Sequence, residues 1–401
     1  MGGGSSFKQP VCNESYGVHM KIKRMLVEKL NQRITAEIRF NDSLNIITGS
    51  NGSGKTTFLK ACWYLYSGNI GNALREISFQ KMEIETDQLT LAVTCSDPES
   101  EDPKFSISLK PVGTLRFETR DILETVKEPL TGTWDEIKDH LWKYGFLTAL
   151  NHDSLFFPTF RRVEGGFLLG NKNERTVRTK RTALAGNAAN DDDLTKALKA
   201  ASNALSEFDN KFVCSMSTTD VERLVTDTKA KMDSKQREEY EVLARTISQD
   251  IRQWQTSGET DATGAEYLRG ILANVTKVER QRDGIVEPMR KLNSEISQYF
   301  PNRSIKINEL KLGEGNESIA ATSLSAGEKQ LLSFLCYAAF YGEYVFMVDE
   351  PELSLHLDWQ RKLISSLTSL GASHQYFFVT HSPAIYTKFA DFEIAFDTYL
   401  N

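Results

Sequence analysis

The chain of 401 residues carries 40% hydrophobic and 25% charged residues and has a formal net charge of -6 at pH 7. This length and composition predict a globular protein of two or three domains with a sizeable core, and the acidic balance argues against a protein coated in basic charge. None of the 5 cysteines forms a CxxC pair, so neither a zinc site nor a disulfide framework is indicated, and a reducing, cytoplasmic location is favoured.

No segment of the sequence indicates a membrane protein. The first 18 residues are predicted to form a disordered tail, and no secretory signal is visible. The opening Met1-Gly2-Gly3-Gly4-Ser5-Ser6 fits the N-myristoylation pattern, but we favour a flexible or artificially added tail. The most apolar stretch, 331–348, contains Gly342 and Glu343, which favours a buried helix and a buried strand over a membrane span.

An α/β head is predicted to begin at residue 19. Alternating apolar positions predict strands between Met20 and Phe40, and the apolar run Leu44–Thr48 predicts a buried strand. A glycine-rich loop and a helix from about Thr56 to Tyr66 follow. Three alternating runs within 82–119 predict an antiparallel sheet beside a parallel one.

Residues 186–304 have a different character from the rest of the chain. Charged and Ala/Leu-rich runs with helical periodicity predict a helical insertion, a short coiled-coil hairpin with its tip between Thr256 and Thr263. From Ile305 the α/β pattern returns. The head is therefore predicted to be split into an N-terminal half at 19–185 and a C-terminal half at 305–401.

The glycine-rich loop matches the phosphate-binding pattern GxxxxGK[ST], between an apolar strand and a helix. Its backbone N–H groups and the helix N-terminus suit the phosphates of ATP, Lys55 is expected to reach the β- and γ-phosphates, and Thr56 to bind Mg²⁺. A glycine-rich turn without a nucleotide is disfavoured because Lys55, Thr56 and Thr57 follow it. The residues predicted to bind ATP here are Gly49, Asn51, Gly52, Ser53, Gly54, Lys55, Thr56 and Thr57.

A second apolar run ends in the adjacent acids Asp349 and Glu350. A central strand would deliver both to its carboxyl end, where open α/β sheets bind ligands. Asp349 is expected to hold Mg²⁺, directly or through water, and Glu350 to polarise the attacking water. An Asp-Glu pair at a strand end is common, so its significance comes from the phosphate loop upstream.

The segment Leu324-Ser325-Ala326-Gly327-Glu328-Lys329-Gln330 resembles the LSGGQ-type element of the ABC ATPase superfamily. The resemblance implies that Ser325, Gly327 and Glu328 contribute to an ATP site, with Ser325 and the Gly327 backbone contacting the γ-phosphate of ATP held by the other subunit. The plainer interpretation is a helix cap, with Ser325 capping and Glu328 at capping-box spacing. Both interpretations hold together.

A histidine, His381, follows the apolar run Phe377–Val379. By the same resemblance it is the switch histidine that contacts the γ-phosphate, and the order of the four motifs supports this over a purely structural role. The resemblance also implies composite ATP sites, and hence a homodimer or higher homo-oligomer. The expected fold is an ABC-type P-loop NTPase head, a mixed sheet flanked by helices with an antiparallel β lobe and a helical insertion.

The segment Pro351–Gln360 resembles the cross-dimer loop of soluble ABC ATPases related to the overcoming-lysogenization-defect (OLD) proteins and to antiphage ATPases of PARIS or Septu type. The stretch 157–162 resembles the same subgroup more softly. The sequence departs from OLD nucleases, because too few residues follow His381 for a metal-binding nuclease domain. The glutamine loop is unassigned, since Gln80 lies closer to the phosphate loop than that loop usually does.

The resemblance to antiphage ATPases implies a sensor and regulatory ATPase that controls a separate effector, a nuclease or toxin supplied in trans, in bacterial antiphage defence. The alternative is a RecF- or SMC-like ATPase of DNA repair or chromosome maintenance. A transporter ATPase and a scaffold with a dead site are less favoured. Basic residues cluster between Arg161 and Arg181, where a solvated loop is the plainer interpretation and a contact for DNA or a DNA-mimicking protein the sharper one.

Overall fold

A computed structural model describes most of the two parts of the α/β head and a long helical hairpin between them. The described residues are 20–100, 102–112, 128–143, 153–159, 162–163, 197–198, 200–206, 210–216, 218–257, 261–301, 305–306, 311–312, 324–341, 344–371 and 373–400. The predicted N-terminal tail, the run at 115–117 and all of the basic cluster except Arg162 lie outside them.

One sheet is antiparallel and has six strands in the order β2-β1-β4-β5-β6-β7. Buried and half-buried residues alternate along its strands, which is what a sheet with one face on a core requires. The predicted antiparallel lobe is therefore confirmed. Its strands are β1 (Ile22–Leu30), β2 (Ile34–Arg39), β4 (Lys81–Thr86), β5 (Leu89–Cys95), β6 (Phe105–Pro111) and β7 (Leu130–Gly132).

The second six-stranded sheet is parallel throughout, in the order β10-β8-β14-β15-β3-β16. Its central strands are buried on both faces, which explains their continuous apolar runs. Strands from both ends of the sequence share this sheet, and the predicted α/β fold is confirmed. The strands are β3 (Leu44–Thr48), β8 (Ser154–Phe157), β10 (Asn210–Phe212), β14 (Val345–Asp349), β15 (Gln375–Val379) and β16 (Glu393–Ala395).

Helices cover the parallel sheet, and α1 fixes the phosphate loop to it. Trp63 of α1 is fully buried, donates its indole N–H to Ser154 Oγ at 3.0 Å and packs against Phe156 and Phe212. The helices of the head are α1 (Lys55–Tyr66), α2 (Ile70–Glu76), α3 (Trp134–Lys143), α6 (Ala326–Phe340), α7 (Leu357–Leu370) and α8 (Pro383–Tyr386). No helix in the described part of the chain has the length and apolar content needed to span a bilayer.

The insertion contains a hairpin of two long helices, α4 (Thr218–Ser257) and α5 (Asp261–Tyr299), which meet near the predicted tip. The end of α5 is anchored on the head, where Tyr299 is buried and donates its hydroxyl to Ser366 Oγ at 2.9 Å.

Two short strands precede the hairpin within the segment assigned to the insertion. β10 pairs with β8 of the parallel sheet, and β11 (Ser215–Met216) pairs with β9 (Arg162–Val163). Strands of two or three residues carry too little periodicity to be recognised from sequence. The division into domains therefore stays a prediction, to which we add that the long helical hairpin begins at Thr218.

Candidate functional site

The phosphate loop connects the end of β3 to the start of α1, as its sequence predicts. Three of its glycines adopt positive φ angles, 148° at Gly49, 75° at Gly52 and 98° at Gly54. Gly54 precedes the first turn of α1, and a Cβ there would lie 2.1 Å from Ile34 Cδ1. The loop thus needs glycine both for its backbone angles and for its close approach to β2.

Lys55 is folded back over this loop and is 3% exposed. Its ammonium donates to Ser50 O at 2.7 Å, to Gly49 O at 3.1 Å and to Ser53 Oγ at 3.3 Å. The lysine therefore stands among the backbone groups expected to surround the phosphates.

Burial disfavours the charged form of Lys55, and nearby carboxylates favour it. Burial lowers the pKa of Lys55 below its ordinary value, and the carboxylates of Asp397, Asp349 and Glu350 oppose that shift. An ammonium surrounded in this way is partly desolvated before any ligand arrives. Phosphate oxygens would take over part of the stabilisation that the three carboxylates supply.

Asp349 ends β14 and is fully buried at the carboxyl edge of the sheet. Thr56 donates its hydroxyl to Asp349 Oδ1 at 3.2 Å, and Thr159 donates to Asp349 Oδ2. Thr159 lies in the stretch 157–162 noted in the sequence, but it was assigned no role there. It follows the buried strand β8, a direct neighbour of β14. Parallel neighbours end at the same sheet edge, which is why the two side chains meet.

These oxygens fit a magnesium ion. Mg²⁺ prefers carboxylate and hydroxyl oxygens and in nucleotide sites uses one or two carboxylates together with the substrate's phosphates. Among the residues that the structure describes, no three His, Cys, Asp or Glu side chains converge as an all-protein metal cage would require. The donor set around Asp349 therefore suits Mg²⁺ bound with a nucleotide.

An open cleft of about 550 Å³ runs along the phosphate loop. It brings Glu350 and His381, from the ends of β14 and β15, together with Lys55 and Thr56. Glu350 has a positive φ of 48°, and its N–H donates to Val379 O at 2.8 Å. We call this the phosphate-loop cleft. It is lined by Arg33, Asn51, Gly52, Gly54, Lys55, Thr56, Thr57, Glu350, Glu352, Leu353 and His381.

Arg33 and Glu352 line the phosphate-loop cleft, although the sequence did not assign them to the ATP site. Arg33, in the turn before β2, donates its guanidinium to Gly52 O at 2.8 Å. Glu352 accepts the backbone N–H of His381 at 2.8 Å, while its second oxygen is buried and has no hydrogen-bond partner among the described residues. Glu352 lies in the predicted cross-dimer loop and Arg33 in no motif, so only the fold places the two side chains in the cleft.

The LSGGQ-like segment begins α6 with a capping box, which confirms the plainer of its two interpretations. Ser325 Oγ accepts the Glu328 N–H at 3.3 Å, and Glu328 Oε2 accepts the Ser325 N–H at 2.7 Å. A Cβ on Gly327 would lie 2.2 Å from Ser354 O, so glycine is needed for contact with the following loop. Ser325, Gly327 and Glu328 do not line the phosphate-loop cleft of their own chain.

The loop at 351–356 is held from two sides by glutamines. Gln330 of α6 donates to Leu353 O at 2.9 Å and to Pro351 O at 3.1 Å. Gln360 of α7 donates to Leu355 O at 2.9 Å and accepts the Ser382 hydroxyl at 2.7 Å. The LSGGQ-like helix, this loop and the segment beside His381 thus form one connected unit.

Gln80 lies elsewhere. Its N–H donates to Glu28 O, and the residue lines a separate cleft of the antiparallel lobe with Lys81 and Cys95. It is absent from the lining of the phosphate-loop cleft, so the structure supplies no reason to assign it to the glutamine loop.

Two family models match the chain. One, described as an AAA domain, matches residues 34–304, and the other, described as an AAA domain, putative AbiEii toxin, Type IV TA system, matches residues 225–386. The Retron Vc95 probable ATPase of Vibrio cholerae serotype O1 biovar El Tor is 24% identical over 396 residues, which is 92% of this chain and 72% of that protein.

Other similarities are shorter or more distant. The DNA replication and repair protein RecF of Shewanella pealeana is 33% identical over 104 residues, 26% of each protein. A solved structure of the Smc head domain with an extended coiled coil, bound to the C-terminal domain of ScpA from Pyrococcus furiosus, covers 92% of this chain and 91% of that one at 14% identity and a TM-score of 0.40. The long match at 34–304 and the order of the motifs lead to one conclusion: the chain belongs to the AAA domain family and is an ATPase of the ABC type.

Proposed function

We propose that two copies of this chain enclose ATP between them and hydrolyse it at two composite sites. In each site the phosphate-loop cleft of one copy faces the LSGGQ-like segment of the other. One observation carries this proposal. Ser325 and Gly327 lie at the N-terminus of α6, a position suited to an anion, yet they do not line the cleft that their own chain supplies.

The surface around the cleft supports association. Leu353 and Leu357 are 40% and 47% exposed, on and directly after the loop held by Gln330 and Gln360. Exposed leucines beside a polar cleft suit a surface that is covered when two copies meet. Nucleotide would then act as the switch for assembly, because it contacts both copies.

Within each site the proposed roles follow from position. Lys55 and the phosphate-loop amides bind the β- and γ-phosphates, and His381 contacts the γ-phosphate. Glu350 orients and polarises the attacking water at the strand end. Thr56 and Asp349 would hold Mg²⁺, which neutralises charge developing on the phosphates. Ser325, Gly327 and Glu328 of the other copy complete the site.

The first test is the mass of the protein in solution. Glu350→Gln protein with ATP and Mg²⁺ is expected to shift to a dimer or larger, because ATP stays bound while hydrolysis slows. Lys55→Ala protein should show no shift, because it loses its main phosphate contact. The same mass for both variants, with and without ATP, would overturn nucleotide-driven assembly.

We further propose that Thr159 orients Asp349 for the metal. Thr159→Val keeps the shape of the side chain but removes the hydroxyl that donates to Asp349 Oδ2. The Mg²⁺ concentration that half-saturates ATP binding is expected to rise about tenfold, the lower end of effects seen for residues behind metal ligands. Titration of Mg²⁺ at fixed nucleotide measures it, with the exposed Thr131→Val as the matched control. An unchanged Mg²⁺ requirement would exclude this role.

We place this ATPase in a two-component antiphage system, where it senses the trigger and controls a separate effector, a nuclease or toxin. Two similarities favour this. The retron ATPase matches 92% of the chain, and the family model at 225–386 is described with a toxin of a type IV toxin–antitoxin system. Expression of the chain with and without its neighbouring genes, followed by phage challenge, tests it. Protection by the ATPase alone would contradict a separate effector.

The second candidate is a DNA repair or chromosome-maintenance ATPase. The similarity to RecF proteins favours it, although the match covers 26% of the chain in the longest cases. Stimulation of ATP hydrolysis by DNA, with no separate toxin, would support this candidate over the first.

A further inference from the structure

A carboxylate from the end of the parallel sheet reaches the outer side of the phosphate loop. β16 is the edge strand and pairs with β3, with Ala395 opposite Thr48. Paired parallel strands end at the same edge, so the residues after Ala395 leave the sheet beside the residues after Thr48. The residues after Ala395 form a short 3-10 helix, Phe396–Tyr399, and the residues after Thr48 form the phosphate loop.

The side chain of Asp397 in this 3-10 helix contacts the backbone of the phosphate loop. Its Oδ2 accepts the Ser50 N–H at 2.7 Å, and its Oδ1 lies 2.9 Å from the position that a Cβ on Gly49 would occupy. The hydroxyls of Ser50 and Ser53 also lower the pKa of this carboxylate. The hydrogen bond from the Ser50 backbone N–H is the main reason that the pKa of Asp397 lies below its usual value.

The carboxylate is held in this place by its neighbours. Phe396 is fully buried, with its ring centroid 5.1 Å from that of Phe58 in α1. Thr48 donates its hydroxyl to Glu393 Oε1 at 2.6 Å. The 3-10 helix is therefore fixed both to the helix that follows the phosphate loop and to the strand that precedes it.

Two opposite effects on ATP follow from this geometry. Charge alone predicts that Asp397 weakens ATP binding, because its carboxylate competes with the phosphates of ATP for Lys55. Position predicts that Asp397 strengthens ATP binding, because its carboxylate orders the phosphate loop from a side that ATP does not occupy. Asp397 does not line the phosphate-loop cleft, and hydrogen bonds to a charged acceptor are about twice as strong as neutral ones. The ordering of the loop should therefore outweigh the competition for Lys55, so that Asp397 strengthens ATP binding.

We infer that Asp397 is a positioning residue that holds the phosphate loop, through Ser50, in the conformation that accepts ATP. This role rests on the proposed nucleotide site, but it also has a consequence that needs no nucleotide. Without the carboxylate the Ser50 N–H loses its acceptor, so the loop should open more often in the free protein.

The test uses Asp397→Ala, Asp397→Asn and, as the matched control, Asp391→Ala, an exposed acid in the preceding 3-10 helix. Hydrogen exchange of peptides covering 49–54 is measured without nucleotide, and the Kd of MgATP is measured by titration. Asp397→Ala is expected to speed exchange of the loop and to raise the Kd about tenfold, as the loss of one charge-assisted bond predicts. Asp397→Asn keeps an acceptor oxygen and should show a smaller rise.

The outcomes separate this inference from the proposed function. Unchanged exchange, or ATP binding as tight as or tighter than that of the unaltered chain, would overturn the positioning role. If Asp397→Ala speeds exchange of the loop but the unaltered chain binds no ATP, the positioning role of Asp397 stands and the proposed nucleotide site is wrong.

Discussion

Glu350→Gln is expected to lower the rate of ATP hydrolysis by about 10²- to 10⁴-fold, the range typical for loss of a general base. Glutamine keeps the size of the side chain and the backbone bond to Val379, but its amide cannot accept a proton from water. ATP affinity should change little, because the phosphate contacts come from Lys55 and the loop amides. Phosphate release under saturating MgATP measures the rate, and equilibrium titration measures binding.

The neighbouring Glu352 makes this prediction specific. Both carboxylates line the phosphate-loop cleft, but Glu352 accepts the backbone N–H of His381 and so has a partner that fixes one of its oxygens. Glu352→Gln should therefore slow hydrolysis far less than Glu350→Gln. If Glu352→Gln abolished turnover while Glu350→Gln retained it, the roles assigned to the two acids would be reversed.

Mixing two inactive variants should restore activity if the sites are shared between copies. Lys55→Ala removes the phosphate contact of one half-site, and Ser325→Arg places a bulky side chain at the exposed start of α6 that should face the other copy. In an equal mixture about half of the dimers are mixed, and each has one complete site. About a quarter of the original rate is expected if the two sites turn over independently.

The matched control is a mixture of Lys55→Ala and Glu350→Gln. Both residues line the same cleft of one chain, so a mixed dimer of these two variants has one defect in each site and should stay inactive. Activity measured across mixing ratios distinguishes the two cases. Failure of the first mixture, in which mixed dimers form, would show that the LSGGQ-like segment does not act across the dimer. Rescue in the second would show that Lys55 and Glu350 serve different sites.

The central features of the fold were predictable because each has a local signature. A glycine-rich loop between an apolar strand and a helix specifies its own geometry, since the angles at Gly49, Gly52 and Gly54 favour glycine. Asp349 is the last of five buried residues in the predicted strand, and Ser325 with Glu328 has the spacing of a capping box that the structure contains. The boundary of the helical insertion was less visible, because β10 is only three residues long and pairs with a strand far upstream.

Sequence alone determined that the chain has a phosphate loop, an acidic strand end, a capped LSGGQ-like helix and an α/β fold, because these depend on periodicity and on residues close in the chain. Only the tertiary structure decided that Thr159 meets Asp349, that Glu352 meets His381 and that Asp397 holds Ser50. The Asp397 contact joins residues 347 positions apart. The physical reason is strand order: residues far apart in the chain meet when their parallel strands end at one edge of the sheet, and no local pattern records which strands are neighbours.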